Sequence, residues 1–403
     1  MVVPQLRFKE FDGDWKEDTL KNCITSIDSG WSPQCESYPA NSSEWGVLKT
    51  TSVDWSGFNS SFNKKLPLEL TPRKEIEVKP LDILVTRAGP TERVGVISVV
   101  PHSVRSKLMI SDKLIRLKAN EQNNPLFLGI SLSSVKCQNQ LQSKTSGLAK
   151  SQTNISQKIL GEVLLKLPSK KEQTKIASFL SAVDEKIIQL SQKHELLSQY
   201  KQGMMQKLFS QQLRFKADDG SEFGEWEERK LGEVCRFVNG RAYKQTEWEK
   251  EGTPVIRLQN LTGSGKEYYY SNLNLPDHQY CYNNDLLYMW SATFGPVFWQ
   301  GEKAIFHYHI WKIEVNPQLL DKKYMYFLLD EMTEKMKRSL NGSTMLHVTK
   351  QGMENTEKII PSLPEQTKIA NFLSAIDQKI EVVAQQIEQA KTWKKGLLQQ
   401  MFV

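Results

Sequence analysis

Cysteine is scarce and unpatterned in this chain. Its 403 residues include five (Cys23, Cys35, Cys137, Cys235, Cys281), with no Cys-x-x-Cys pair and no even framework. That scatter excludes a disulfide scaffold and a cysteine-built zinc site, and it suits thiols kept reduced in a cytoplasm. No apolar run approaches membrane-spanning length, and Met1–Lys9 lacks the apolar core of a signal peptide. Charge of one sign is not in large excess. A formal net charge of +7 is too mild for a histone-like polycation, but it allows one basic face against an acidic partner such as nucleic acid. What remains is a cytoplasmic chain long enough for two domains plus connecting elements.

Catalytic signatures are missing too. Gly263-Ser264-Gly265-Lys266 has no glycine five residues before Gly265, and Glu267 stands where a phosphate loop needs Ser or Thr for magnesium. It reads as a glycine-rich turn. Glu75-Ile76-Glu77-Val78-Lys79 has the acidic–acidic–basic look of a nuclease strand, but no upstream Asp completes it, so an exposed charged strand is expected. His307 and His309 lack a nearby Cys or carboxylate to finish a metal site and read as ordinary strand residues. There is no glycine-rich dinucleotide fingerprint and no Asn-Pro-Pro-aromatic motif for methylating a base. The chain reads as having no catalytic site, metal or cofactor of its own.

What is present is a repeat. Leu167–Ile187 (LPSKKEQTKIASFLSAVDEKI) and Ile360–Ile380 (IPSLPEQTKIANFLSAIDQKI) lie 193 residues apart and agree at 15 of 21 positions. A second echo opens each half: Pro4–Lys9 (PQLRFK) and Gln211–Lys216 (QQLRFK), followed by Trp15 and Trp226. Two such units imply internal pseudo-two-fold symmetry. Phe209-Ser210 runs directly into the second QLRFK segment, and the equivalent place after Phe402 leads back to the first, so the chain resembles a closed loop cut once.

Each repeat opens a helical run. In the first, Ile176, Phe179, Val183, Ile187, Leu190, Leu197, Tyr200, Met204 and Leu208 recur at spacings of three and four. In the second, Ile369, Phe372, Ile376, Ile380, Val383, Ile387, Ala390, Trp393, Leu397 and Met401 do the same. That is an apolar seam held for about five heptads, in helices roughly 57 Å long. One helix leaves the first domain and the other leaves the second, so the pair should pack antiparallel. The two heads would then be held about one turn of DNA apart, ~34 Å, or somewhat more. Ser169 and Ser362 stand three residues before Glu172 and Glu365, the spacing of a capping box. Lys170-Lys171 replaces Leu363-Pro364, so the two helices are expected to start slightly differently.

The inserts between the echoes show short apolar runs broken by Gly and Pro, as in Ile83–Val85, Val94–Val100 and Leu286–Tyr288. They read as compact α+β domains. The expected organisation is a first domain at 1–170, a spacer helix at 171–209, a second domain at 210–363 and a spacer helix at 364–403. Residues able to read base edges or hold phosphates cluster in turn-like segments. In the first insert they are Thr86, Arg87, Arg93, Lys144, Lys150, Gln152 and Asn154. In the second they are Arg241, Lys244, Arg257, Gln259, Asn260, Ser291, Thr293, His347 and Lys350.

The paired Glu-Gln-Thr-Lys-Ile-Ala-x-Phe-Leu-Ser-Ala-x-Asp-x-Lys-Ile helices (Glu172–Ile187, Glu365–Ile380), each behind a proline turn, resemble the specificity subunit of bacterial type I restriction–modification enzymes. The resemblance spans essentially the whole chain, including Asp82–Gly89 with Asp285–Gly295 and Ser146–Ser156 with Gly342–Thr349. It implies two target-recognition domains reading the halves of a split, asymmetric double-stranded DNA site. It also implies an antiparallel helical spacer that docks two methyltransferase subunits, which bind S-adenosylmethionine and methylate adenine at N6. Motor–nuclease restriction subunits using ATP and Mg would complete the complex. Two other classes stand beside this one: a coiled-coil scaffold whose heads bind proteins, and a self-contained fused enzyme.

Overall fold

The structure is a computed structural model that describes residues 3–144, 153–291, 293–339 and 348–402. The chain divides into two compact units. Unit 1 comprises residues 1–190 with 386–403, and unit 2 comprises residues 191–385. Two long helices, the central Lys170–Phe209 and the C-terminal Leu363–Met401, each contribute to both units. Both begin at equivalent residues of the repeat, so the expected difference in their starts does not occur. Pro364 lies in the first turn, where its missing N–H costs nothing. No helix among the described residues is long and apolar enough to cross a membrane.

Unit 1 is built on a four-stranded antiparallel sheet in the order Ile24–Ser29, Leu114–Ala119, Ile83–Thr86, Ile97–Val99. The strand Ile83–Thr86 is buried along its whole length because it serves two cores. Ile83 and Val85 face a core with Leu128 and Leu132 of the helix Pro125–Leu132. Leu84 points the other way, into a core with Val47, Leu108 and Met109 of a smaller three-stranded sheet. Strand periodicity of two assigns alternate side chains to opposite faces, which is why a continuous apolar run fits here. In the smaller sheet Gly46–Leu48 pairs parallel with Leu108–Met109 and antiparallel with Asn63–Lys65.

Unit 2 repeats this plan. Its larger sheet runs Cys235–Asn239, Ile310–Val315, Leu286–Ser291, Thr293–Phe298, all antiparallel. Leu286 and Tyr288 face a core with Tyr324 and Phe327 of the helix Lys322–Ser339, and Leu287 faces one with Ile256 and Phe306. In its second sheet Thr253–Ile256 pairs antiparallel with Tyr269–Ser271 and parallel with Ala304–Phe306, which adds a fourth strand, Tyr280–Cys281, that has no counterpart among the described residues of the three-stranded sheet of unit 1. Gly30 and Gly240 mark the same close approach in the two units. A Cβ there would lie 2.0 Å from the Ile110 carbonyl oxygen and 2.3 Å from that of His307.

The echoes meet in a buried clasp, once per unit. In unit 1 the Arg7 guanidinium donates to both Glu172 carboxylate oxygens at 2.7 and 2.8 Å, and the Trp15 indole N–H donates to the same carboxylate at 3.3 Å. In unit 2 Arg214 does so to Glu365 at 3.1 and 2.8 Å, with Trp226 at 3.0 Å. Gln173 and Gln366, next in sequence, accept from the backbone N–H of Asn124 and Asp321 and donate to the carbonyls of Pro168 and Pro361. Glu172 and Glu365 therefore do not close a capping box. Ser169 does accept from the Glu172 N–H at 3.3 Å, but both carboxylates are committed to the clasp. The loop expected from the sequence is closed as well: Leu6 N–H donates to Gln400 O at 2.9 Å in unit 1, as Leu213 N–H does to Lys207 O at 3.1 Å in unit 2.

Within each unit the two long helices run antiparallel. In unit 1 Phe179 meets Trp393 edge-on and Asp184 pairs with Lys394, while Ile176, Ala177 and Leu180 share a core with Leu397 and Met401. In unit 2 Lys201 pairs with Asp377 at 2.7 Å, while Met205 and Leu208 share a core with Ile369, Ala370 and Leu373. Of the expected seam, Ile176, Val183, Leu190, Leu208, Ile369, Ile376, Val383, Leu397 and Met401 are buried. Phe179, Ile187, Leu197, Met204, Phe372, Ile380, Ile387 and Ala390 are half-buried. Tyr200 and Trp393 are corrected as buried seam positions: they are 51% and 54% exposed, Trp393 keeping its edge-on contact with Phe179 at the margin. A straight helix drifts about 20° per heptad from a strict seam. Near the globular bodies its buried face also widens, taking in Ala177, Leu180, Met205, Ala370 and Leu373.

Candidate nucleic-acid interface

In unit 1 the chain leaves Ile83–Thr86 into a turn at Arg87–Gly95. The turn is held by Ala88–Gly89 pairing with Thr153–Asn154, and by Thr91 and Thr153 hydroxyls 2.7 Å apart. This pairing brings Arg87 and Asn154 together across 67 residues, the guanidinium Nε donating to Asn154 Oδ1 at 3.4 Å. Arg93 is otherwise engaged. Its guanidinium donates to Asp54 Oδ2 at 2.6 Å and to the carbonyls of Val53 and Thr50, tying the 50–58 segment to the turn. A hydrogen bond from the Ser56 backbone N–H, then those from Arg93 and the Ser56 hydroxyl, hold the Asp54 carboxyl below its usual range. Thr86 is corrected outright. It is fully buried, its hydroxyl donating to Arg93 O and accepting from Val96 N–H, so it shapes the turn and reaches no ligand. Lys144 is exposed, 3.7 Å from Glu162, and Lys150 and Gln152 lie outside the described residues.

Unit 2 gathers a different set. Arg241 and Arg257 end two strands, Cys235–Asn239 and Thr253–Ile256, whose registers bring them beside the turn His307–His309. Arg241 pairs with Glu247 and lies over the Tyr243 ring at 4.6 Å. Tyr243 stacks on Trp248 (4.8 Å between centroids), Trp248 meets Tyr269 at a 40° tilt (4.6 Å), and Arg257 lies over Tyr269 at 5.0 Å. Asn260 is corrected from reader to brace. Its carbonyl accepts from Arg257 N–H at 2.9 Å and its amide donates to Gly265 O and Glu267 O, closing the glycine turn. Gly263, at φ +73°, lets the chain leave the helix Leu258–Thr262, as a turn and not a phosphate loop requires. Gln259 is half-buried against that turn, and Lys244 is exposed at a tight bend. Ser291 and Thr293 face each other at a hairpin tip, Lys350 lies 3.5 Å from Glu354, and His347 lies outside the described residues.

His307 and His309 sit in the link between the strands Ala304–Phe306 and Ile310–Val315, not on a strand face. Burial, then His309 and Arg257, push the His307 imidazole down to about 4. Burial and then Arg257 lower His309 as well. Both are therefore neutral near pH 7. Among the described residues no group of three or more His, Cys, Asp or Glu is placed to hold a metal. All five cysteines are free, and burial raises the Cys23 thiol to about 11 and those of Cys235 and Cys281 to about 12, too high for nucleophiles.

Sequence reasoning missed Tyr243, Trp248, Tyr269, Trp290, Tyr308 and the two histidines as one surface. The available signal was a local density of aromatic residues, in the Tyr268–Tyr270 run and in His307-Tyr308-His309, in the same insert as Arg241 and Arg257.

The family described as the type I restriction modification DNA specificity domain matches residues 54–198 and 224–392. The type I restriction enzyme EcoEI specificity subunit of Escherichia coli is 41% identical over 166 residues, 41% of this chain and 28% of that protein. The MjaVIII specificity subunit of Methanocaldococcus jannaschii is 27% identical over 349 residues, covering 81% of this chain and 79% of that one. Among solved structures, a type I restriction–modification system S subunit from M. genitalium aligns with a TM-score of 0.62 at 15% identity, covering 100% of this chain and 99% of that one. The fold is shared.

Proposed function

The chain belongs to the type I restriction modification DNA specificity family, and on that premise we propose that it supplies the sequence address of a type I restriction–modification complex. Each unit reads one half of a split, asymmetric duplex target. In unit 1 the readers are Arg87 and Asn154 at the turn held by Thr91 and Thr153. In unit 2 they are Arg257 and the residues around His307–His309. The two long helices set the gap between the half-sites and dock two methyltransferase subunits, which carry S-adenosylmethionine and methylate adenine. Restriction subunits supply the ATP- and Mg-dependent motor and nuclease, and the assembly works in the cytoplasm. This chain contributes recognition and no reaction step.

The observation that carries this reading is one frame used twice under two different faces. The Arg–Glu–Trp clasp and the strand order of the larger sheet recur, while Lys64 and Lys65 on the second sheet of one unit stand where that of the other has Tyr269 and Tyr270. The test is methylation-site mapping on DNA from cells carrying this chain with its cognate methyltransferase. A split motif with N6-methyladenine in each half, lost on deleting this chain, is the expected result. Methylation that persists without it would defeat the proposal. Methyl transfer by the purified chain alone would instead favour the fused-enzyme reading.

A further inference from the structure

Five planar groups in unit 2 form a column: Arg241, Tyr243, Trp248, Tyr269, Arg257. The successive spacings are 4.6, 4.8, 4.6 and 5.0 Å. A guanidinium caps each end, but the two ends differ. Arg241 is neutralised by Glu247. Arg257 is half-buried and, among the described residues, has no carboxylate partner and no hydrogen bond from its guanidinium. Its backbone is fixed by Asn260 and its side chain is steered by the Tyr269 ring. The result is a planar set of donors, held in direction, with no acceptor for it among the described residues.

We infer that Arg257 reads a guanine in the half-site addressed by unit 2, with Tyr269 as its positioning residue. The inference rests on the DNA reading proposed above. A guanidinium matches the two acceptors O6 and N7 that guanine alone presents together in the major groove. A phosphate also offers paired acceptors, but the surroundings favour a base. Phosphate contacts gather cations, whereas the neighbours here are Arg241, already paired, two neutral imidazoles, and the rings of Tyr269 and Tyr308, which are 40% and 39% exposed. Neutral imidazoles can donate or accept at adjacent base edges, and the exposed rings suit a base edge or a thymine methyl better than a hydrated phosphate.

The experiment uses the assembled complex of this chain with its methyltransferase. It combines methylation-site mapping with binding to duplexes altered at single positions, for wild type, Arg257→Ala, Arg257→Lys and Tyr269→Leu. The wild-type half-site assigned to unit 2 should contain a G·C pair whose replacement weakens binding on the order of 10- to 100-fold. Arg257→Ala should erase that preference and leave the other half-site intact. Arg257→Lys should keep most affinity while weakening the preference, since an ammonium lacks the rigid planar fork that fixes the direction of the paired contact. Tyr269→Leu should weaken the preference partially. Thermal melting of each variant separates loss of reading from loss of fold, and the lysine variant keeps the test decisive if the alanine variant unfolds. Equal weakening on every sequence with a shallower salt dependence would make Arg257 a phosphate contact and overturn the inference, as would an unchanged motif. No split motif with wild-type protein would instead defeat the DNA reading itself, and this inference with it.

Discussion

The two units agree where polar groups are buried and differ where they are exposed. Both clasps use one Arg, one Glu and one Trp, at nearly the same distances, in places where water cannot substitute. Their second sheets share parallel and antiparallel pairings, yet one edge strand carries Lys64 and Lys65 and the other carries tyrosines that join an aromatic column. The residue after the close-approach glycine differs too: Trp31, under the Arg73 guanidinium at 4.2 Å, in unit 1, and Arg241, over the Tyr243 ring at 4.6 Å, in unit 2. A buried charge that loses its partner is costly, while an exposed side chain is nearly free to change. The frame is therefore held fixed and the faces are left open to vary.

The sharpest way to break the parallel is at the clasps. Glu172→Ala should destabilise unit 1, and Glu365→Ala unit 2, each by about 2–4 kcal/mol, because each leaves a half-buried guanidinium and a buried indole N–H unanswered. Hydrogen exchange resolved by unit would report this, and losses below about 1 kcal/mol would falsify the clasp. A second test acts on the helices. Leu190→Asp and Val383→Asp place a charge at positions 8% and 3% exposed and should each cost about 2–4 kcal/mol. Tyr200→Ala and Trp393→Ala, at exposed positions, should cost well under half as much. Equal melting temperatures for the four variants would return the seam to its sequence-derived register.

Acid should separate the units next. His307 binds a proton in the unfolded chain near its ordinary value but in the folded chain only near 4. Its contribution is present above that ordinary value and is lost as pH falls through about 4. After discounting for its partial exposure, unit 2 should lose about 1–2 kcal/mol over that window. His307→Asn should remove this slope, and a slope that survives the substitution would assign it elsewhere. The smallest expected effect compares two arginines of one turn. Arg93→Ala should cost at most about 1 kcal/mol, its partner Asp54 being 44% exposed, and should leave the half-site unchanged. Arg87→Ala should change the base preference of that half-site with little effect on melting. A reversal of these two outcomes, read by methylation mapping, would exchange their roles.

The frame was legible because it is written twice and because a heptad pattern survives in one dimension. The use made of Glu172 was not: its spacing from Ser169 fits a cap, and the partner that claims it lies 165 residues away. Local spacing cannot reveal a competitor that distant. The reading faces were only half legible. Residue type nominated Thr86, Arg93 and Asn260 alongside Arg87, Asn154 and Arg257, but hydrogen bonds to nearby backbone turned the first three into braces. The aromatic column escaped notice because its members are joined by strand pairing between Thr253–Ile256 and Tyr269–Ser271, with no periodic signal in the chain.

The division of the chain also sets an order of events during synthesis. Unit 2 is continuous, residues 191–385, and has all its parts once those residues have left the ribosome. Unit 1 begins first but needs residues 386–403 as well. Trp15 and Phe127 pack on Phe402, and Leu397 and Met401 complete the core around Ile176 and Leu180. Until those late residues arrive, the earliest-made unit carries an uncovered apolar face, the condition in which nascent chains aggregate or recruit chaperones. The first unit to emerge is thus the last to close.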